Sequence, residues 1–159
     1  MSMISYAIAI APSRAEQVAS EPGQLLALLQ AGGDDVHGLD KAWHGLHFLL
    51  TGSVTDTAGP NGQAILGGME VGEDLGYGPA RLLEPGQVRA LAATLGAVEA
   101  DSISATYDPG TMDSVGIYPA VWIREGHEGL RWLLDELKRL QAFYARAAAS
   151  GASVILVIV

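Results

Sequence analysis

The feature that most limits what this chain can become is its C-terminal stretch. Over 126–149, Leu130, Leu133, Leu134, Leu137, Leu140 and Tyr144 recur at three- and four-residue spacing opposite Glu136 and Arg139. That pattern predicts one long amphipathic helix with a wide apolar face. Gly151 then reads as a stop, and 153–159 is an almost unbroken β-branched run, Ser-Val-Ile-Leu-Val-Ile-Val, with no polar alternation. Such a run predicts a buried terminal strand.

The segments upstream supply the other elements. Residues 4–10 read as a first strand stopped by Pro12. Ser13 and Glu16 fit a capping box that opens a short helix ending near Glu21 and Pro22, and a second helix spans 24–30 before Gly32 and Gly33. Residues 34–38 read as a polar loop. Leu39, Trp43, Leu46 and Leu50 then fall at i, i+4, i+7 and i+11, predicting a helix over 39–50 that Gly52 ends in the left-handed conformation. After a polar loop over 53–63, residues 64–71 read as a strand interrupted by Gly67 and Gly68, and 72–79 as a glycine-rich turn. A short strand is expected over 80–83, and Pro85 opens a helix carrying Val88, Leu91, Ala92 and Leu95. Another short helix over 98–107 is followed by a turn at Asp108, Pro109 and Gly110, and by a strand over 117–123 that Pro119 assigns to an edge or a start. At 159 residues the chain suits a single domain over 1–159. The expected fold is α+β: a small mixed sheet packed by several helices, including the long C-terminal helix followed by the terminal strand.

Charge and composition narrow the function classes. Acidic residues outnumber basic ones 18 to 9, a net charge of −9, which disfavours nucleic acid as a partner because affinity for a phosphate backbone comes from Lys and Arg. Residues 124–159 hold five basic and four acidic side chains, so the acidic excess lies in the first 123 residues. Such a body repels anionic lipid surfaces; it suits plain solubility or a protein partner with a basic surface. The absence of cysteine excludes disulfides, thiolate zinc sites and thiol nucleophiles. The first eleven residues have no basic region ahead of their apolar stretch, and no run is long enough to span a bilayer, so no membrane association and a cytoplasmic location are expected. Two lysines, one asparagine and abundant Ala, Gly and Arg fit the codon bias of a GC-rich bacterial genome.

Three clusters could carry chemistry. On the expected 39–50 helix, Asp40, Trp43, His44 and His47 fall at i, i+3, i+4 and i+7, placing a carboxylate, two imidazoles and an indole on one face. His47 or His44 could then act as acid or base, oriented by Asp40; the alternative is that Asp40 caps the helix, His47 satisfies a buried backbone group and Trp43 packs in the core. A metal site would need ligands beyond these, with His37 and His127 the remaining imidazoles, and the i,i+4 histidine pair with a glutamate typical of zinc hydrolases is missing, so no metal and no cofactor are expected. In Gly76-Tyr77-Gly78-Pro79-Ala80-Arg81, glycine N–H groups and the Arg81 fork could cradle an anion, or the segment could be a sharp turn with Arg81 in an ion pair. Neither a dinucleotide loop, a P-loop nor a nucleophile elbow is present. Tyr118 and Trp122, four residues apart, share a face of the expected strand and serve either packing or the binding of a peptide or flat ligand.

The stretch from Leu39 through Trp43-His44-Gly45-Leu46-His47 to Thr51-Gly52 resembles the signature helix of the bacterial DUF1877, or YfbM-like, family. Met3-Ile4, Leu66-Gly67-Gly68, Tyr77-Gly78-Pro79-Ala80-Arg81 and Ile117-Tyr118-Pro119 fall in the order that family shows, so the resemblance covers nearly the whole chain. It implies a single α+β domain of unknown function and assigns no catalytic residues. With no complete catalytic constellation and an acidic body, the expectation is a binding or protein-interaction module, one form of which is an immunity-like or regulatory role against a basic partner. The rival is a small-molecule enzyme with His47 as acid or base, Asp40 as orienter and Arg81 as anion anchor. Trp43, Tyr77, Arg81, Tyr118 and Trp122 are the candidate ligand-binding residues.

Overall fold

The apolar run at the end of the chain, β5 (Ser153–Ile158), is buried along its whole length and forms the middle of a five-stranded sheet. In chain order the elements are β1 (Ser5–Ile10), α1 (Pro12–Ser20), α2 (Pro22–Ala31), β2 (Val36–Asp40), α3 (Trp43–Thr51), α4 (Gly59–Leu66), β3 (Met69–Val71), β4 (Ala80–Leu83), α5 (Pro85–Gly96), α6 (Ala100–Ser104), α7 (Pro109–Ser114), α8 (Trp122–Glu125), α9 (His127–Ala149) and β5. The structure, a computed structural model, describes residues 2–159. The strand order is β2-β1-β5-β4-β3. All four ladders are antiparallel rather than mixed in direction, with Ala7 and Arg81 both opposite Leu156.

Alternation along the strands divides the interior in two. Ala7, Leu83, Val154, Leu156 and Ile158 face the larger core, covered by α3, α4, α5 and α9. Ile8, Ile10, Leu82, Ile155 and Val157 face a smaller one, covered by Ala15, Val18 and Ala19 of α1 and Leu25 of α2. The result is three layers, with β5 enclosed on both faces as its composition requires. No helix of the described residues is long and apolar enough to cross a membrane.

Several local expectations are corrected. Pro12 is the first residue of α1 and Ala11 its N-cap with no side-chain bond, so Ser13 and Glu16 form no capping box. Leu39 and Asp40 close strand β2, paired to β1, and α3 starts only at Trp43 behind Ala42. The 64–71 strand is in fact the end of α4 followed by the three-residue β3. Asp108 accepts the Thr111 N–H and opens α7 instead of ending in a turn. No strand forms over 117–123. Ala120 has φ +62°, and the Tyr118 N–H goes to a histidine ring rather than to a neighbouring strand.

Candidate functional site

The residues singled out in the sequence fall into two groups around α3. On the outer side, Trp43 and His44 stack with ring centroids 4.7 Å apart, and Tyr118 lies 6.1 Å from Trp43. The His44 ring is committed at both nitrogens: Nδ1 accepts the Tyr118 N–H at 3.0 Å, and Nε2 faces the Val54 carbonyl at 3.1 Å. That pair of partners fixes a neutral ring protonated at Nε2. Burial pushes its pKa down, the bond to Val54 opposing. Trp43 Nε1–H donates to the Met3 carbonyl at 3.1 Å, and the Met3 N–H donates to the Tyr118 hydroxyl at 3.1 Å. These bonds tie Met3, just before β1, to α3 and to the 53–57 and 117–121 segments.

On the inner side, His47 is fully buried, and neither ring nitrogen has a hydrogen-bond partner. Burial pushes its pKa down to about 4; His44 and, more weakly, Arg81 act in the same direction, while the Asp56 backbone and carboxylate oppose. Arg81, on β4 opposite Glu70, donates Nη1–H to the Leu66 carbonyl at 2.9 Å and Nη2–H to that of Ile65 at 3.4 Å. Tyr144 donates its hydroxyl to the Ala64 carbonyl at 2.6 Å. The last carbonyls of α4 are thereby satisfied from β4 and α9, and a cation at a helix C-terminus also suits the helix dipole. The guanidinium is held inside, where burial lowers its pKa against the pull of Glu70. The glycine N–H groups beside it are also taken: Asp74 accepts those of Gly76 at 2.7 Å and Gly78 at 3.1 Å.

The structure thus brings His44, Trp43 and Tyr118 into contact, and His47 within electrostatic reach of Arg81. Asp40 stands apart. It is exposed at the end of β2 with φ +50°, and no hydrogen bond among the described residues joins it to either imidazole. Its expected place on the helix face fails because the strand continues through it. Trp122 is fully buried under α3, its Nε1–H donating to the Ile117 carbonyl at 2.8 Å. Tyr77 is 38 % exposed at the tip of the glycine turn. No group of three or more metal-ligating side chains occurs among the described residues.

One polar cluster escaped the sequence reading. Glu136, expected on the solvent face of the long helix, is only 2 % exposed. It accepts from His37 Nε2 on β2 at 2.6 Å and from Arg139 Nη2 at 2.7 Å, with His37 stacked on Phe143. The signal was His37 next to a strand edge, lost when 34–38 was read as a loop. The cluster pins β2 to α9.

Two further surfaces bear on function. A groove of about 340 Å³ lies between the 119–125 segment and the start of α9, with Trp132 and Lys41 among its walls. At the far edge of the sheet, β3 pairs with β4 on one side, and on the other its backbone makes no hydrogen bond among the described residues. Met69 there is 60 % exposed, beside the exposed Glu70, Glu73 and Asp74.

Comparison with known proteins agrees with this architecture. The crystal structure of a protein of unknown function, YfbM from Escherichia coli, matches with a TM-score of 0.77, covering 98 % of this chain and 99 % of that one at 21 % identity. At that identity the likeness shows the fold. A search of curated proteins finds no match. The family model described as a domain of unknown function, DUF1877, matches residues 1–157. The match spans both layers of helices and all five strands, and on it the chain belongs to the DUF1877 family.

Proposed function

We propose that the protein is an interaction module that receives a protein partner with a basic surface at the β3 edge and the 72–79 turn. The observation that carries this reading is the coincidence, on β3 and the turn that follows it, of unpaired backbone, exposed Met69 and Tyr77, and carboxylates with no basic residue among them. No residue from 69 to 80 is basic, and Arg81, next in line, points its guanidinium into the protein. The backbone of Ser20 lies against Gly72, which puts the exposed Glu21 beside the same edge. An edge strand offers main-chain hydrogen bonds to an incoming strand, its apolar side chains give an anchor, and the acidic rim selects positive partners and speeds their encounter.

The enzyme reading has less support from the geometry. A general base must reach its proton, and His47 touches no solvent, Asp40 does not orient it, and Arg81 is occupied by helix carbonyls.

The test is affinity capture with the intact protein and with a Glu70→Lys/Glu73→Lys variant whose fold is verified by circular dichroism. We expect the wild type to retain proteins of high isoelectric point that elute as salt is raised and that the variant does not retain. Equal capture by both forms, or a captured set without basic bias, overturns the reading.

A further inference from the structure

The groove beside α9 sits at the opposite end of the sheet from β3, near the close of β2, and the interaction surface makes no use of it. We infer that it is a binding site for a small aromatic carboxylate of one or two rings.

The argument starts from Trp132. Its indole stacks on Trp122 with centroids 5.9 Å apart and planes 23° from parallel. Trp122 is itself immobile, fully buried and hydrogen-bonded to Ile117, with Gly45 of α3 packed against its ring. One face of Trp132 is thus backed by a fixed aromatic, while the half-buried side chain still lines the groove. Pro119 and Val121 supply an apolar wall. A volume of about 340 Å³ is at the small end of what ligand pockets offer, and suits a flat molecule rather than a long chain. Offset stacking on an indole is the contact such a surface favours.

Charge then selects the ligand's polar end. Four charged side chains line the groove: Lys41, Arg124, Glu125 and Glu128. Arg124 meets Glu125 at 3.0 Å, and Glu128 meets Arg131 at 3.4 Å, so both carboxylates already have cationic partners. Lys41 is half-buried and has no ion pair or side-chain hydrogen bond among the described residues. Lys41 is therefore the charged lining residue that no ion pair engages among the described residues. A carboxylate paired with Lys41 while its ring lies on Trp132 satisfies both features at once. The net charge of −9 works against loose accumulation of anions elsewhere on the surface, so selectivity for an acid has to come from this one lysine.

The experiment is calorimetric titration of the whole protein with three isosteric probes: naphthalene-2-carboxylate, the corresponding primary amide and the aminomethyl analogue. We expect the acid to bind with Kd of roughly 0.1–1 mM, as ligands of this size do, and the amide and amine at least about tenfold more weakly. Lys41→Gln should erase the acid's advantage over the amide without changing the amide's own affinity. Trp132→Leu should abolish binding of all three. If that variant does not fold, the Lys41→Gln comparison decides alone, since Lys41 belongs to neither hydrophobic core. Equal binding of acid and amide, preference for the amine, an unaltered acid affinity in Lys41→Gln, or no binding of the acid at 10 times the upper expected Kd each overturns the proposal.

Discussion

His44 and His47 lie one turn apart on α3 and stand in opposite relations to their surroundings. His44 has a defined acceptor and donor, so replacing it with Leu strands the Tyr118 N–H and the Val54 carbonyl and should cost roughly 2–4 kcal/mol. Neither nitrogen of the His47 ring has a hydrogen-bond partner, and exchange for an apolar side chain of similar size removes two buried, unsatisfied polar atoms. His47→Leu should therefore stay within about 1 kcal/mol of the wild type at pH 7, measured by urea denaturation. The two variants also separate in acid. The His47 pKa is near 4 in the fold against 6.5 in the unfolded chain, so below 6.5 the unfolded state takes up a proton that the folded state refuses. This contribution to stability is complete above pH 6.5 and drains away as pH falls toward 4, by up to about 3 kcal/mol. Stability of His47→Leu should fall less steeply over that interval, and identical pH profiles would contradict this account. The sequence made both imidazoles visible, and their spacing on one helix. It could not distinguish them, because what separates them is Tyr118 and the 53–57 loop, brought in from remote positions. Glu136 shows the same limit from the other side: a carboxylate on an outward-reading helical position is buried because His37 and Arg139 meet it there.

Between elements, the approach of α3 to the Trp122 ring is set by Gly45. A β-carbon at that position would lie 2.4 and 2.6 Å from two atoms of the Trp122 indole and 3.0 Å from Leu133. Helix propensity alone predicts that Gly45→Ala stabilises by about 1 kcal/mol. The packing predicts the reverse, a net loss of roughly 2–3 kcal/mol as Trp122 and α9 are pushed away, and thermal or chemical denaturation gives the sign directly. Elements with strong periodicity were legible without the structure: β1, α2, the body of α3, β4, α5, α9 and β5 lie where spacing, Pro and Gly put them. The misread ones share a cause. Short apolar runs such as Ala64-Ile65-Leu66 fit a strand or a helix turn equally, and here Tyr144 and Arg81 decide for helix by donating hydrogen bonds to its last carbonyls. The reverse holds for 36–40, where His37 and Gly38 hide a strand whose pairing with β1 is fixed by the sheet and not by its own residues.

Across the whole molecule, the two cores are unequal. Among the described residues, 26 buried apolar side chains form the core under α9 and ten form the one under α1 and α2, where the helices contribute only Ala15, Val18, Ala19 and Leu25. The α1–α2 layer should accordingly open first. Native-state hydrogen exchange should give its amides an opening free energy roughly 2–4 kcal/mol below that of α5 and α9, with β5 the most protected, and uniform protection across both layers would refute the inequality. The position of β5 bears equally on how the protein is made. During synthesis β1 and β2 can pair, as can β3 and β4, but these two hairpin-like pieces share no ladder until the strand between them leaves the ribosome. A nascent chain of this design waits, with two open sheet edges and the apolar face of α9 uncovered, and then closes in one late step. Its demand on holding chaperones is concentrated in the interval before β5 emerges.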